Sequence, residues 1–353
     1  MQNAAVLGAG YMGSAITFPL SDNKLNVNLW GTWLDDDLIS SSAKGLHPRL
    51  GIPLPPTVKL FYWQDLKAAI DDCDIIFIGI TSEGFTDIFT RVVENLNKNK
   101  SYRFFKLTKG LVEDEGSIMR ASEAAERIFK KRFPEKELCM TTIGGPVRAL
   151  DLSRRIPSAT VYGLKNDLEA LVKPLLDNFR TGYYRIFVSD DPEAVEICST
   201  FKNIYAIAAG ICDGLYRETH KGLYHNIIAF LFAQACSEIS EICRLSGRPA
   251  ATAAGFAGIG DLHVTSVAGR NRQYGELVGG GTDSEAAFEQ MRKDGLYGEG
   301  YMALKYGVPW LLKNTGAGYS FLEKKLPLLY MLNSVIFEKK DPMIQMQQLI
   351  GSI

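Results

Sequence analysis

Over roughly its first 190 residues the chain alternates between short, continuous apolar runs and longer stretches of helical spacing. Residues 4–7, 26–30, 74–80, 104–107 and 139–143 are β-rich, and stretches such as 86–96 between them repeat their apolar positions at helical intervals. Apolar runs without polar alternation suit strands covered on both faces, which predicts a parallel sheet with crossover helices. Further strand–helix–strand material is expected at 158–161, 167–176 and 184–188.

The pattern changes after Asp190-Asp191-Pro192. Asp191-Pro192-Glu193 reads as a helix start, with Pro in the first turn and acids near the positive end of the dipole. Long helical patterns follow over 193–212 and 221–246, the second closed by Gly247 and Pro249. No comparable strand run occurs beyond residue 192, so the expected architecture is an α/β domain over 1–190 and an all-helical domain over 191–353. No internal repeat or low-complexity tract is present.

Composition narrows the function. A chain of 353 residues suits two domains, and 46% hydrophobic with 22% charged residues describes a soluble globular protein. With 39 Lys and Arg against 40 Asp and Glu, the formal net charge is -1, so no global basic field draws the chain to nucleic acid. Six cysteines without a CxxC pattern read as reduced, mostly buried thiols. The start Met1-Gln2-Asn3 lacks the basic and apolar segments of a signal peptide, which points to the cytoplasm. Apolar windows such as 227–236 are too short or too interrupted for a transmembrane helix, so no span is expected.

The first apolar run leads into Gly8-Ala9-Gly10-Tyr11-Met12-Gly13 and then a helical pattern. Between a strand and a helix, the first glycine permits the tight turn, the second lets a pyrophosphate approach the backbone, and the third allows close helix–sheet packing. This context predicts a Rossmann-type doubly wound sheet that binds a dinucleotide. Asp35-Asp36-Asp37 comes slightly late for the acid that holds the adenosine ribose, and reads as a solvated turn or helix start. No Arg or Lys follows the second strand until Lys44, so NAD is expected over NADP.

Thr108-Lys109-Gly110 ends a buried strand, where ligands gather in such sheets, and Gly144-Gly145-Pro146 ends the next. In the helical half, Lys202-Asn203 lies within a strongly apolar helix; an ammonium there needs a partner, and desolvation moves such a group toward the range useful for proton transfer. Gly260-Asp261 supplies a candidate carboxylate, the alternative being a purely structural ion pair. Gly269-Arg270-Asn271 offers a planar charged fork and an amide donor suited to a phosphate. Among the four histidines, His47, His220, His225 and His263, structural or exposed roles are expected; His220 and His225 miss the i,i+4 spacing of a helical metal pair, His263 neighbours Asp261 and keeps a secondary site role open, and no metal is expected.

Together these strings resemble NAD-dependent glycerol-3-phosphate dehydrogenase over nearly the whole chain: GAGYMG at Gly8, HPRLGIPLPP at His47, TKG at Thr108, GGP at Gly144, EICSTFKNIYAIAAGICDGL at Glu196, GIGDLHVTSVAGRNR at Gly258 and GEG at Gly298. The resemblance implies reversible hydride transfer between NADH, with NADPH as a possible substitute, and dihydroxyacetone phosphate, linking glycolysis to glycerophospholipid precursors. It makes Lys202 the acid/base, Asp261 its orienting carboxylate, and Lys109 a group that positions substrate and nicotinamide. Lys109, Gly145, Asn203, Asp261, Thr265, Gly269, Arg270 and Asn271 would hold substrate. Gly8, Gly10, Tyr11, Met12, Gly13, Phe85, Lys109, Ala149, Arg270 and Glu299 align with cofactor contacts. The chain departs from the usual pattern at Thr81 to Phe85, at Val147-Arg148, and at Met12 and Thr32. A small phosphorylated substrate is implied, and the apolar helices beyond residue 190 offer an interface for a cytoplasmic homodimer, although the sequence does not fix the stoichiometry. The alternatives are a related two-domain reductase of another hydroxy acid and a non-catalytic dinucleotide-binding module.

Overall fold

The computed structural model describes residues 2–217, 224–267, 269–296 and 298–352. The chain divides into two compact units, one ending at Val195 and the other beginning at Glu196. The first contains β1 (Asn3–Leu7), α1 (Tyr11–Asp22), β2 (Asn26–Trp30), α2 (Asp36–Ala43), β3 (Val58–Phe61), α3 (Leu66–Ile70), β4 (Ile75–Ile78) and α4 (Phe85–Asn95). It continues through β5 (Arg103–Lys106), a hairpin of β6 (Leu111–Asp114) and β7 (Ser117–Arg120), α5 (Ala121–Arg132), β8 (Met140–Gly144), α6 (Ala149–Ser153), β9 (Ser158–Gly163), α7 (Glu169–Leu176) and β10 (Tyr184–Ser189).

Eight strands form one sheet in the order β10-β9-β8-β5-β4-β1-β2-β3. Successive strand residues enter opposite cores: Ala4, Val6, Ile75, Phe77 and Phe105 pack with Ile16 and Leu20 of α1, whereas Ala5, Leu7, Ile76, Ile78 and Phe104 pack with α4 and α5. Burial on both faces explains the unbroken apolar runs. The sheet is parallel as expected except at one pairing: β9 runs antiparallel to β8, and β10 follows β9 in parallel. After β8 the chain packs α6 against α1 and turns back. An apolar run reads the same in either direction, so the reversal left no sign in the sequence.

The second unit takes in most of α8 (Pro192–Tyr216), then α9 (His225–Leu245), α10 (Ala251–Ala254), a π-helical turn (Phe256–Gly260), α11 (Asp261–Val267) and α12 (Arg270–Gly279). After these come α13 (Ser284–Lys293), α14 (Glu299–Thr315), α15 (Tyr319–Lys325), α16 (Pro327–Ile336) and α17 (Pro342–Ser352). The last strand among the described residues ends at Ser189. The start expected for the second long helix, Lys221, and His220 lie outside the described residues.

Helices α8 and α12 meet backbone to backbone. A methyl group on Gly210 would lie 2.0 Å from the Arg272 carbonyl oxygen, and one on Gly275 would lie 2.2 Å from that of Ile207. Gly214 and Gly279 repeat the arrangement one turn further along. Four glycines, spaced four apart on each helix, thus form a seam no larger side chain fits without moving a helix.

By length and composition, α9 is the one described helix capable of crossing a bilayer, although 33% of its most apolar stretch is buried. Its Glu238 carboxylate lies inside the unit. It accepts hydrogen bonds from the Leu328 and Leu329 N–H groups, which head α16, and from Tyr205 Oη and Gln234 Nε2. Burial pushes this carboxyl up to about 7 despite those four donors. A helix carrying such a group is fitted to protein neighbours rather than to lipid.

Candidate functional site

In the first unit, the glycine turn joins β1 to α1 at the carboxyl ends of the parallel strands. Gly8 has φ +105°, and a methyl group there would lie 2.7 Å from the Gly79 carbonyl oxygen; on Gly13 it would lie 1.9 Å from that of Gly8. Both glycines serve close packing. Gly10 differs, because among the described residues the one atom within 4 Å of where a side chain would begin is Arg49 Nη1, at 3.3 Å. No side chain caps α1 at Gly10, and its first turn carries no acid. An open glycine before an uncapped helix start accommodates a dinucleotide pyrophosphate.

Two side chains that sequence reasoning did not assign hold this turn. Asp35, expected in a solvated turn, is instead buried: its Oδ2 accepts hydrogen bonds from Ala9 N (3.3 Å), Thr32 N (3.0 Å) and Thr32 Oγ1 (2.9 Å). Asp36 and Asp37 do open a helix. His47 is fully buried, with Nε2 3.0 Å from the Ala9 carbonyl oxygen and 2.9 Å from Ser14 Oγ. Its Nδ1 accepts from Leu50 N, so the proton sits on Nε2. Burial pulls the imidazole below its ordinary range, with the Ala9 hydrogen bond opposing. This clamp brings Arg49 to Gly10 and sets its guanidinium 5.8 Å above the Tyr11 ring. The HPRL string was the available signal, but its meaning depended on a contact with a turn far away in the sequence.

Lys109 is half-buried just beyond β5, on a segment tied down by Thr108, whose Oγ1 donates to the Ile80 carbonyl. Gly145 follows β8 with φ +112°, beside the Thr160 backbone. Met12 packs against the core, and Ala149 opens α6, partly exposed. Phe85 is fully buried and stacks on Phe89, so it has no exposed ring for a cofactor.

In the second unit, the π-helical turn delivers Asp261 to Lys202. Gly258 is required there, because a methyl group would lie 2.0 Å from the Ala253 carbonyl oxygen. Lys202 and Asp261 form an ion pair with side chains 5% and 2% exposed. Lys202 Nζ also donates to Thr265 Oγ1 (2.9 Å), whose hydroxyl donates to the Asp261 carbonyl (2.7 Å). Beside this pair, Asn203 Nδ2 and Arg270 Nη2 each donate to Glu299 at 3.1 Å. Asn271 Nδ2 donates to Asn203 Oδ1, while its Oδ1 accepts from Gly300 N. Gly269 leaves the start of α12 without a side-chain cap.

The structure thus brings together Lys202, Asn203, Asp261, Thr265, Arg270, Asn271 and Glu299. His263 is exposed and meets Phe232 edge-on. Arg272 has a different setting: it donates twice to buried Asp213 and to the Ser266 and Val267 carbonyls. Burial works to raise the Asp213 carboxyl, but hydrogen bonds from Arg272 and Tyr224 outweigh it and hold it below its usual range.

Residues 3–170 match the family model of the NAD-dependent glycerol-3-phosphate dehydrogenase N-terminus, and residues 191–347 match that of the C-terminus. The chain is 31% identical over 293 residues to the NADP(+)-dependent glycerol-3-phosphate dehydrogenase of Archaeoglobus fulgidus, covering 83% of this chain and 84% of that one. It is 28% identical to the glycerol-3-phosphate dehydrogenase [NAD(P)+] of Coxiella burnetii, covering 98% and 96%. A crystal structure of glycerol-3-phosphate dehydrogenase from Coxiella burnetii superposes with a TM-score of 0.83 at 28% identity, covering 99% of this chain and 98% of that one. A glycine turn open to a dinucleotide, a buried lysine–aspartate pair beside an Arg–Asn cluster, and these matches lead to one conclusion: the chain belongs to the NAD-dependent glycerol-3-phosphate dehydrogenase family.

Proposed function

We propose that this NAD(P)-dependent oxidoreductase interconverts dihydroxyacetone phosphate and sn-glycerol 3-phosphate, with Lys202 as its acid/base. The buried Lys202–Asp261 pair, next to a cluster suited to a phosphate, carries the reading. The bound dinucleotide supplies a hydride to the ketone carbon. Lys202 Nζ gives its proton to the carbonyl oxygen, which becomes the alcohol, and takes it back in the reverse direction. Asp261 and Thr265 aim the ammonium and limit its freedom before reaction. Arg270, Asn271 and the uncapped start of α12 take the substrate phosphate, with Gly269 allowing backbone approach. Asn203 holds the substrate hydroxyls, Glu299 steers Asn203 and Arg270, and Lys109 positions substrate.

Gly8, Gly10, Tyr11, Met12 and Gly13 hold the dinucleotide, with Ala149 lending its backbone. Arg49 adds a cation for the dinucleotide phosphates, which supports use of NADPH alongside NADH. A cytoplasmic homodimer completes the reading. Phe256, Ile259 and Val267 offer exposed apolar surface for self-association, and no disulfide forms among the described cysteines.

The test is NADH oxidation with dihydroxyacetone phosphate against unphosphorylated dihydroxyacetone. Preference for the phosphorylated ketone by about a hundredfold or more in kcat/KM is expected from a dedicated anion cluster. Equal rates would remove the phosphate assignment. Light scattering of the purified protein checks the dimer.

A further inference from the structure

The parallel strands carry the glycine turn at their carboxyl ends; the opposite edge of the same sheet holds a second feature, unrelated to the dinucleotide. A cavity of about 350 Å³ opens where β5 and β8 begin, lined among others by Lys100, Arg103, Phe129, Phe133, Lys136 and Leu168. Its floor is apolar, since Phe129, Phe133 and Leu168 are buried, and exposed Leu171 continues the apolar surface to the lip. Three cations stand in its wall.

Several cations elsewhere on this unit pair with carboxylates: Arg120 with Glu193, Arg127 with Asp114, Lys165 with Glu126, Arg155 with Asp22. In the cavity the arrangement differs. Lys136 Nζ donates to the Lys98 and Lys100 carbonyls, and Lys100 Nζ to the Asp71 carbonyl. Carbonyl oxygens orient an ammonium without cancelling its charge. The Arg103 guanidinium has no ion pair or side-chain hydrogen bond among the described residues. Two acids, Asp72 and Asp74, share a smaller cavity with Arg103 but form no ion pair with it. Glu137 is the single acid in the wall. Cys139 adds no negative charge, because burial raises its thiol and outweighs the opposing pull of Arg103.

We propose that this cavity is a binding site for a small amphipathic anion, one bearing a phosphate or carboxylate on an aromatic or short apolar body. The acid group meets Arg103, Lys100 and Lys136, and the body covers Phe129, Phe133 and Leu168. A pocket of this size with a few convergent polar groups is of the kind that holds small ligands. A guanidinium left without a protein partner favours a planar, doubly accepting anion.

The test is calorimetric titration of the full-length enzyme with 1-naphthyl phosphate. Saturating NADH and sn-glycerol 3-phosphate, which together cannot turn over, occupy the dehydrogenase site. Saturable binding is expected, weakened by about tenfold or more in both Arg103→Gln and Lys136→Gln, the loss of a charge-assisted contact. Lys173→Gln, an exposed lysine on α7, should leave it unchanged, and 1-naphthol and inorganic phosphate should each bind more weakly. Lys136 is exposed, so its variant keeps the test available if Arg103→Gln misfolds. Absence of saturable binding, unchanged affinity in Lys136→Gln, or an equal loss in Lys173→Gln would each overturn the site.

Discussion

The two units build their polar sites by opposite means. At the glycine turn the working groups are backbone N–H groups, and side chains hold them: Asp35 accepts from Ala9 N, and His47 grips the Ala9 carbonyl and Ser14. In the helical unit the working groups are side chains, and backbone contact holds them, because the glycines of α8 and α12 let the helices bearing Lys202 and Arg270 meet without intervening atoms. The contrast teaches where each site is vulnerable. The turn depends on a few polar contacts that can weaken one at a time. The seam depends on the absence of atoms, and a single added carbon disturbs it.

The sharpest test removes the group on which the helical unit converges. Lys202→Ala should lose turnover by at least about a hundredfold, the scale of a positioned acid/base, while fluorescence titration shows unchanged NADH affinity. Turnover near that of the parent enzyme would reject the role. Gly275→Ala probes the seam: urea unfolding should show a loss of about 1–3 kcal/mol or more, whereas Gly318→Ala, with open space around it, should change little. If the two cost the same, the seam has no special rigidity. Arg270→Ala should raise the KM for dihydroxyacetone phosphate by about tenfold or more and alter turnover less; a pure turnover defect would move Arg270 away from the phosphate.

At the turn, Arg49→Ala should raise the KM for NADPH by about tenfold, and that for NADH by less. Equal, negligible effects would make Arg49 a packing residue. The smallest effect concerns Glu238. Its folded-state carboxyl sits at about 7 against an ordinary 4.5, so the folded state holds a proton that the unfolded state has released. The stability contributed is complete below 4.5 and is lost as pH rises through about 7. Thermal melts should therefore show Glu238→Gln gaining on the parent between those limits. A constant difference across that window would mean that the carboxyl titrates normally in the folded protein.

The units also differed in how much of them could be read from the sequence. Strands covered on both faces were legible because their runs are unbroken, and the Lys202–Asp261 pair was legible because a lysine amid Ala and Ile requires a partner. The short β3 was not, since Val58–Phe61 holds no buried residue: three are half-buried and Lys59 is exposed. Nor was the reversal at β9, where apolar character carries no direction. Asp35 looked solvated because its three donors come from Thr32 and from a turn 26 residues earlier. Arg49 was missed for the same reason: its position follows from the His47 clamp, a tertiary contact without local periodicity. Phe85 illustrates the converse, a motif position that the core has claimed.

One consequence of the α8–α12 seam reaches toward redesign. If the proposed function holds, a larger residue at Gly210 or Gly275 would push α12 away from α8, and residues remote from Lys202 would then govern how far Arg270 and Asn271 reach. Accommodating a longer or shorter phosphorylated alcohol would then call for changing the thickness of this joint rather than the lysine itself.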